Sequence, residues 1–306
     1  MFFHFQSIGI KLANIHKNKK MNKCNQHRRI LLVLSTFILS SCSSYRVKTD
    51  SQENKKIFNI SYGDDKQQKM DVFIPKDTRD AAFVIIVHGG GWSIGKKWHI
   101  RSIQKFFLKN GIPSANIDYR LVKKGTTYKD QVEDLAKATR YVMENFHKDE
   151  DIIVLGESSG GHISMMYGYN NPNIVDKIIT FAGPADLYSE NYENTRLYKK
   201  YTEGVFKKIV GKKGESFEDA KEELKEASPI SQVSHVPTLT FQGTLDVLVN
   251  KHQSITLDSV LTAKDIPHEL VLIKGAGHVP RFEFWWRKNI IQPKLLEFIR
   301  KDFSEE

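Results

Sequence analysis

Cysteine is nearly absent from this sequence. Its 306 residues contain only Cys24 and Cys42, too few for the disulfide framework of a small secreted scaffold. No group of His, Cys or carboxylate residues has the spacing of a metal site, and we expect neither a metal nor a cofactor. The nine prolines and 19 glycines are scattered, so no low-complexity linker divides the chain.

Acidic residues are absent from the first 41 positions, which carry seven lysines and arginines. Most of the formal net charge of +10 comes from this segment, because the rest of the chain has 39 basic and 36 acidic side chains. Such a balance gives no reason to expect a nucleic-acid partner. We therefore interpret the basic segment as a targeting signal.

A ten-residue apolar run, residues 30–39, follows Arg28 and Arg29. It is too short for a stable membrane-spanning helix and is typical of a signal peptide. The run leads into Leu-Ser-Ser-Cys at Cys42, which resembles a bacterial lipobox, where the chain is cut before a cysteine that becomes acylated. An ordinary signal peptide that is cut nearby is the alternative.

These features divide the chain into three predicted segments. Residues 1–41 are the expected signal peptide, with Met21 as an alternative start. Residues 42–56 are polar and without periodicity, and we expect a lipid-anchored tether. The serine after Cys42 resembles the pattern of lipoproteins that go to an outer membrane, on its periplasmic or surface face. Residues 57–306 are the expected folded domain.

From residue 57 onwards, predicted strands alternate with helices, which favours a mostly parallel sheet with helices on both faces. Alternating apolar residues at 58–62 and 70–74 predict an opening antiparallel hairpin. The clearest helix is expected at 129–146, and a last helix at 294–303, after Pro293. The buried strands are expected near 82–87, 114–117, 152–155, 178–182, 239–242 and 270–273.

A G-x-S-x-G motif spans residues 156–160. It follows a predicted strand and precedes a plausible helix, which is the context of a nucleophile elbow. Ser158 is therefore the candidate nucleophile, since a frame centred on Ser159 would begin with Glu157 instead of glycine. A second motif, His-Gly-Gly-Gly-Trp at 88–92, also follows a strand. Its glycines allow backbone N–H groups to point at a developing oxyanion, whereas a phosphate loop would end in Gly-Lys-Ser/Thr.

The partners of such a serine follow in the order acid, then histidine. Asp246 and His278 each come directly after a predicted strand, and the carboxyl ends of strands are where α/β sheets place ligands. Asp186 is the alternative acid. The other histidines fit this setting less well: His88, His162, His235, His252 and His268.

Together these motifs resemble bacterial α/β-hydrolase esterases of the hormone-sensitive-lipase and feruloyl/acetyl-xylan-esterase type, over residues 57–303. The resemblance implies an α/β-hydrolase fold and a serine carboxylesterase for short-chain acyl esters, with an oxyanion hole made by Gly90, Gly91 and the N–H of Ser159. In this chain Ser159 replaces the usual alanine, and Asn250 stands where proline is common. The resemblance is carried by Met70-Asp71-Val72, residues 88–92, Asp118-Tyr119-Arg120-Leu121, residues 156–162, Ser228-Pro229, residues 243–246 and Gly277-His278.

The segment before the first strand is too short for an N-terminal helical cap. Any lid is therefore expected from a Lys-, Glu- and Tyr-rich insertion at 187–228, in which Ser216 resembles a helix start. The expected partner is a small-molecule or polysaccharide-linked ester. An amidase, formamidase or small peptidase on the same fold, and a catalytically inactive binding lipoprotein, remain the alternatives.

Overall fold

The protein is described by a computed structural model over residues 45–78, 82–123, 125–146, 151–188 and 204–303. Nine strands in these ranges form one sheet in the order β1-β2-β3-β5-β4-β6-β7-β8-β9. The six strands from β5 to the β9 edge are parallel, and β1, β2 and β3 are antiparallel. The strands are β1 Arg46–Thr49, β2 Lys55–Ser61, β3 Lys69–Ile74, β4 Ala82–Val87, β5 Ser114–Asp118, β6 Asp151–Glu157, β7 Lys177–Phe181, β8 Thr238–Gly243 and β9 His268–Ile273.

Helices cover both faces of this sheet, as the sequence predicted. Alternate residues of β4 point into two hydrophobic clusters, Val84 into one and Ile85 into the other, because the strand is buried on both faces. α1 and α6 pack in the Val84 cluster, whereas α2, α3 and α5 pack in the Ile85 cluster. The helices are α1 Arg101–Lys109, α2 Tyr128–Asn145, α3 Ser159–Asn170, α4 Lys221–Glu226, α5 His252–Ala263 and α6 Gln292–Arg300.

The predicted hairpin and long helix are present, with local differences. Asn59 has φ 60° and the β2–β3 register shifts beside it. This bulge buries Ile57 and Ile60 and leaves Phe58 only partly buried, so the expected alternation is broken. The last helix does not start at Pro293, because helical turns over Phe284–Trp286 and Arg287–Ile291 lead directly into α6.

The polar segment 42–56 is not simply a tether, and that prediction was wrong for Lys55 and Lys56, which begin β2, and for Arg46–Thr49. These residues form β1, which pairs with β2 along its length. All four are exposed, so no apolar alternation reveals this edge strand. Its backbone pairs with β2, and the Arg46 guanidinium lies 5.3 Å from the centre of the Phe58 ring. The predicted signal peptide and Cys42 lie outside the described residues.

Part of the predicted insertion belongs to the core. Residues 204–209 are helical, and Phe206 and Ile209 are buried in the Ile85 cluster, together with Leu224 of α4. The Ser216 hydroxyl accepts the N–H of Asp219 at 3.0 Å in the turn before α4. Residues 189–203 lie outside the described residues.

The residues from Tyr45 onwards form one compact unit. It contains all nine described strands and both hydrophobic clusters, so it has the core that an independently folding domain requires. Within the described ranges, no helix combines the length and apolar character needed to cross a bilayer.

Candidate active site

Ser158 occupies a strained turn between β6 and α3. Its φ of 54° and ψ of −122° lie in a region that costs a non-glycine residue roughly 1–3 kcal/mol. The turn is closely packed, because a Cβ added to Gly156 or Gly160 would lie 2.1 or 2.3 Å from a backbone oxygen. The Ser158 N–H donates to Phe181 O at 2.8 Å, which ties the turn to β7. Ser158 is thus held at the amino end of α3.

His278 connects Ser158 to Asp246. Its Nε2 lies 3.0 Å from Ser158 Oγ, and its Nδ1 lies 2.7 Å from Asp246 Oδ2. Because an ionised carboxylate only accepts hydrogen bonds, Nδ1 carries the proton and Nε2 is free to accept the serine hydroxyl proton. The structure therefore brings together three side chains from the carboxyl ends of β6, β8 and β9 in the geometry that activates a serine by a general base.

Asp246 is buried but well supplied with donors. Its side chain has no exposed surface, and Oδ1 accepts the backbone N–H groups of Leu248 and Val249 at 2.8 and 2.9 Å. The side chain of Gln242 donates to Oδ2 at 3.1 Å. These bonds offset the desolvation of the charged group. Sequence reasoning missed Gln242, although a long amide side chain in a predicted buried strand was a signal.

Asp186, the alternative acid, has a different setting. Its Oδ1 accepts the N–H of Tyr188 at 3.0 Å, and its backbone exchanges two hydrogen bonds of 2.8 Å with Gln253. The carboxylate that contacts Nδ1 of His278 is that of Asp246. The geometry thus favours Asp246 as the acid.

The glycine loop after β4 passes beside the nucleophile. A Cβ added to Gly89 would lie 3.2 Å from Ser158 Cβ. Gly90 has φ 135° and Gly91 has φ 54°, and Gly90 O accepts the N–H of Ile94 at 3.0 Å to close a turn. Among the described residues, the N–H groups of Gly90, Gly91 and Ser159 donate to no protein acceptor, so they are available to an oxyanion.

Two histidines of the motifs support this loop. His162 is fully buried, accepts Trp92 Nε1–H at 3.1 Å and donates to Ala227 O at 2.8 Å. His88 donates to Gly89 O at 2.7 Å and stacks on Tyr119. Burial lowers the pKa of each imidazole to about 4. Both rings are therefore neutral near pH 7 and act as structural supports.

A buried ion pair that sequence reasoning missed flanks the site. Arg281 donates to both carboxylate oxygens of Glu157, through Nε to Oε2 and through Nη2 to Oε1 at 3.2 Å. Both side chains are almost inaccessible. The partners are 124 positions apart, so no local pattern indicates the pair.

A mostly parallel sheet, covered on both faces, with a Ser-His-Asp chain at its carboxyl edge is the α/β-hydrolase fold. Residues 70–261 match the family model BD-FAE. This match covers more than half of the sequence, and the chain belongs to the BD-FAE family.

Comparisons with known proteins agree with this fold. A probable isoprenylcysteine α-carbonyl methylesterase of Arabidopsis thaliana is 27% identical over 245 residues, which cover 73% of this chain and 57% of that protein. The chain spans about half the length of the curated relatives it matches. A truncated carbohydrate esterase from gut microbiota superposes with a TM-score of 0.67 at 23% identity, over 80% of this chain and 96% of that one. Esterase B from Lactobacillus rhamnosis gives a TM-score of 0.67 at 18% identity, over 94% and 95%.

Proposed function

We propose that the protein is a serine carboxylesterase that cleaves short-chain acyl esters through an acyl-enzyme. The observation that carries the proposal is the hydrogen-bonded chain of Ser158, His278 and Asp246 beside the glycine loop. The names of the similar proteins, a methylesterase, a carbohydrate esterase and an esterase, support an ester as the substrate.

In the proposed mechanism, His278 Nε2 takes the proton of Ser158 while Oγ attacks the ester carbonyl carbon. The N–H groups of Gly90, Gly91 and Ser159 stabilise the oxyanion. His278 then gives the proton to the leaving alcohol oxygen as the C–O bond breaks. Water repeats the attack on the acyl-enzyme, which releases the acid and restores Ser158. Throughout, Asp246 holds the imidazole tautomer and stabilises the imidazolium.

We infer that the natural substrate is a small-molecule or polysaccharide-linked ester, which the likeness to a carbohydrate esterase supports. The lipobox-like sequence supports acylation of Cys42. That anchor would place the enzyme on the exported side of a bacterial membrane, close to esters outside the cytoplasm.

Fluorophosphonate labelling tests the nucleophile. A fragment that starts at Ser43 retains the whole compact unit, and intact mass should show one adduct. Ser158→Ala should abolish the adduct, whereas Ser159→Ala should keep it, because Ser159 acts through its backbone N–H. Folded wild-type protein without an adduct would contradict the proposal and favour an inactive binding protein.

Substrate comparison tests the ester preference. We expect p-nitrophenyl acetate to be cleaved faster than longer acyl esters, and acetylated xylan to release acetate. N-formyl amides should react much more slowly, because the amine is a poorer leaving group. Equal rates on formyl amides and esters would replace the carboxylesterase proposal by an amidase.

A further inference from the structure

Large apolar side chains are exposed in the loops that surround the Ser158–His278–Asp246 chain. Trp98 follows the glycine loop after β4, and Val247 and Leu248 follow Asp246 after β8. Phe282, Phe284 and Trp285 follow His278 after β9. We call these six residues the apolar rim. Each is at least 59% exposed, compared with 40% for Met143 on α2.

The loops that carry the apolar rim are held by the site itself. The Asp246 carboxylate points inward and accepts the N–H of Leu248, so this turn directs the neighbouring apolar side chains outward. Arg281 is buried beside Phe282 and donates to His99 O at 3.3 Å, which joins the Phe282 loop to the Trp98 loop. These hydrogen bonds hold the rim loops in place, and large apolar side chains exposed around one site mark an interaction surface.

Charge around the apolar rim is mostly basic. The loops at 94–99, 244–252 and 274–288 expose four lysines, Lys96, Lys251, Lys274 and Lys288, but only one carboxylate, Glu283. Aromatic and aliphatic side chains bordered by lysines are the composition of surfaces that insert into anionic lipid. A neutral polysaccharide offers the lysines no opposite charge, and the aliphatic members Val247 and Leu248 offer a sugar ring no stacking face.

The strand directions place the start of β1 towards the same edge. β1 pairs antiparallel with β2, β2 with β3, and β3 with β5, so β1 runs opposite to the parallel strands. Its first residue, Arg46, therefore lies at the end that points to the carboxyl edge, where the rim is. Four residues span at most about 14 Å, so a lipid on Cys42 would be attached within that distance of Arg46.

We propose that the apolar rim docks the protein on an anionic membrane surface, with the active-site edge facing the lipid. Phe282, Phe284 and Trp285 insert among the acyl chains, Trp98 lies at the interface, and the lysines bind the phosphate headgroups. The docking goes beyond the proposed esterase activity and does not depend on acylation of Cys42.

Vesicle flotation of the fragment from Ser43 tests this docking, since the fragment lacks both the apolar run at 30–39 and Cys42. We expect it to float with vesicles of phosphatidylcholine mixed with phosphatidylglycerol, and less with phosphatidylcholine alone or in high salt. The double variant Phe284→Ser, Trp285→Ser should bind at least about ten-fold more weakly. The matched control Met143→Ser, on α2, should bind as the wild type does.

Melting temperature and fluorophosphonate labelling check the fold and Ser158 separately, so a failure of the esterase proposal is distinguishable from a failure of docking. If the double variant melts early, Lys288→Glu takes its place and should weaken binding to anionic vesicles only. Wild-type protein that floats with neither vesicle overturns the proposal. So does a rim variant that binds as well as the wild type, or binding to insoluble acetylated xylan in place of vesicles.

Discussion

Arg281 and Glu157 form a buried two-point ion pair that joins the two halves of the active site. Glu157 directly precedes Ser158 at the end of β6, and Arg281 lies three positions after His278. The guanidinium also donates to the Ser102 hydroxyl at 3.4 Å. The pair therefore links the nucleophile strand, the histidine loop and α1, and we interpret Arg281 as a positioning residue.

Arg281→Met should destabilise the protein and slow labelling of Ser158. The substitution leaves the Glu157 carboxylate buried without its partner, which costs roughly 3–5 kcal/mol. It also frees the loop that carries His278. Urea unfolding measures the first effect, and the rate of fluorophosphonate labelling in native buffer measures the second.

The double variant Glu157→Gln, Arg281→Met should recover part of the stability, because no unpaired charge remains, but not the labelling rate. Lys294→Met is the matched control, because Lys294 forms a more exposed ion pair with Glu269. This substitution should lower the free energy of unfolding by only about 0–1 kcal/mol. If Arg281→Met and Lys294→Met reduced the labelling rate of Ser158 by similar factors, the positioning role of Arg281 would be contradicted.

Asp246→Asn should lower kcat far more than Asp186→Asn. Asparagine at 246 cannot hold the Nδ1–H tautomer of His278, and a loss of about 10⁴ is expected from such a change. Asp186→Asn changes a side chain whose described hydrogen bond is to the Tyr188 backbone, and kcat should stay near the wild-type value. Steady-state hydrolysis of p-nitrophenyl acetate measures both, and a larger loss for Asp186→Asn would make Asp186 the acid.

Gly90→Ala and Gly91→Ala should differ in their effect on kcat. A Cβ on Gly90 would lie 2.1 Å from Ile94 O at a φ of 135°, so the loop must move and its N–H leaves the oxyanion. We expect a loss of about 10²–10³ in kcat. Gly91 has φ 54° but open space around an added Cβ, so Gly91→Ala strains the backbone without a clash, and its loss in kcat should be much smaller. Equal kcat values for the two variants would argue against this geometry of the oxyanion hole.

Stability should fall as the pH is lowered from about 6.5 to about 4. Burial lowers the pKa of His88 and His162 to about 4, whereas unfolded histidine has a pKa near 6.5. In this window the unfolded chain binds protons that the folded chain does not. At about pH 4 each histidine therefore lowers the free energy of unfolding by on the order of 3 kcal/mol. Urea unfolding at several pH values measures the slope.

His162→Gln should make that slope shallower, because glutamine can accept from Trp92 and donate to Ala227 but does not titrate. His252→Gln, at an exposed position, is the matched control for the substitution itself. A slope that is the same in wild type and His162→Gln would contradict the assignment to buried histidines.

The candidate catalytic side chains each have a local signature in the sequence. A G-x-S-x-G sequence after an apolar strand leaves few alternatives to a sharp strand–helix turn, and Asp246 and His278 each follow a strand at the expected place in chain order. The structure adds the distances that join them. Their roles in catalysis stay predictions until the variants above are measured.

Other features were not predictable from local patterns. β1 has four exposed residues and no apolar alternation, so only its backbone pairing with β2 defines it. The bulge at Asn59 is accompanied by a hydrogen bond from its N–H to Asp71 in the neighbouring strand. Both features depend on pairing with a neighbouring strand, and the sequence of one segment does not identify that partner.

The sequence by itself determined the parallel sheet, the elbow at Ser158, the glycine loop and the order of acid and histidine, since strand periodicity and turn chemistry are short-range properties. Only the tertiary structure decided the Glu157–Arg281 pair, the burial of His88 and His162, and the apolar rim. Each of these depends on which distant segments meet. These tertiary contacts are set by the packing of the whole chain, because burial and ion pairing depend on a residue's surroundings in space and not on its neighbours in sequence.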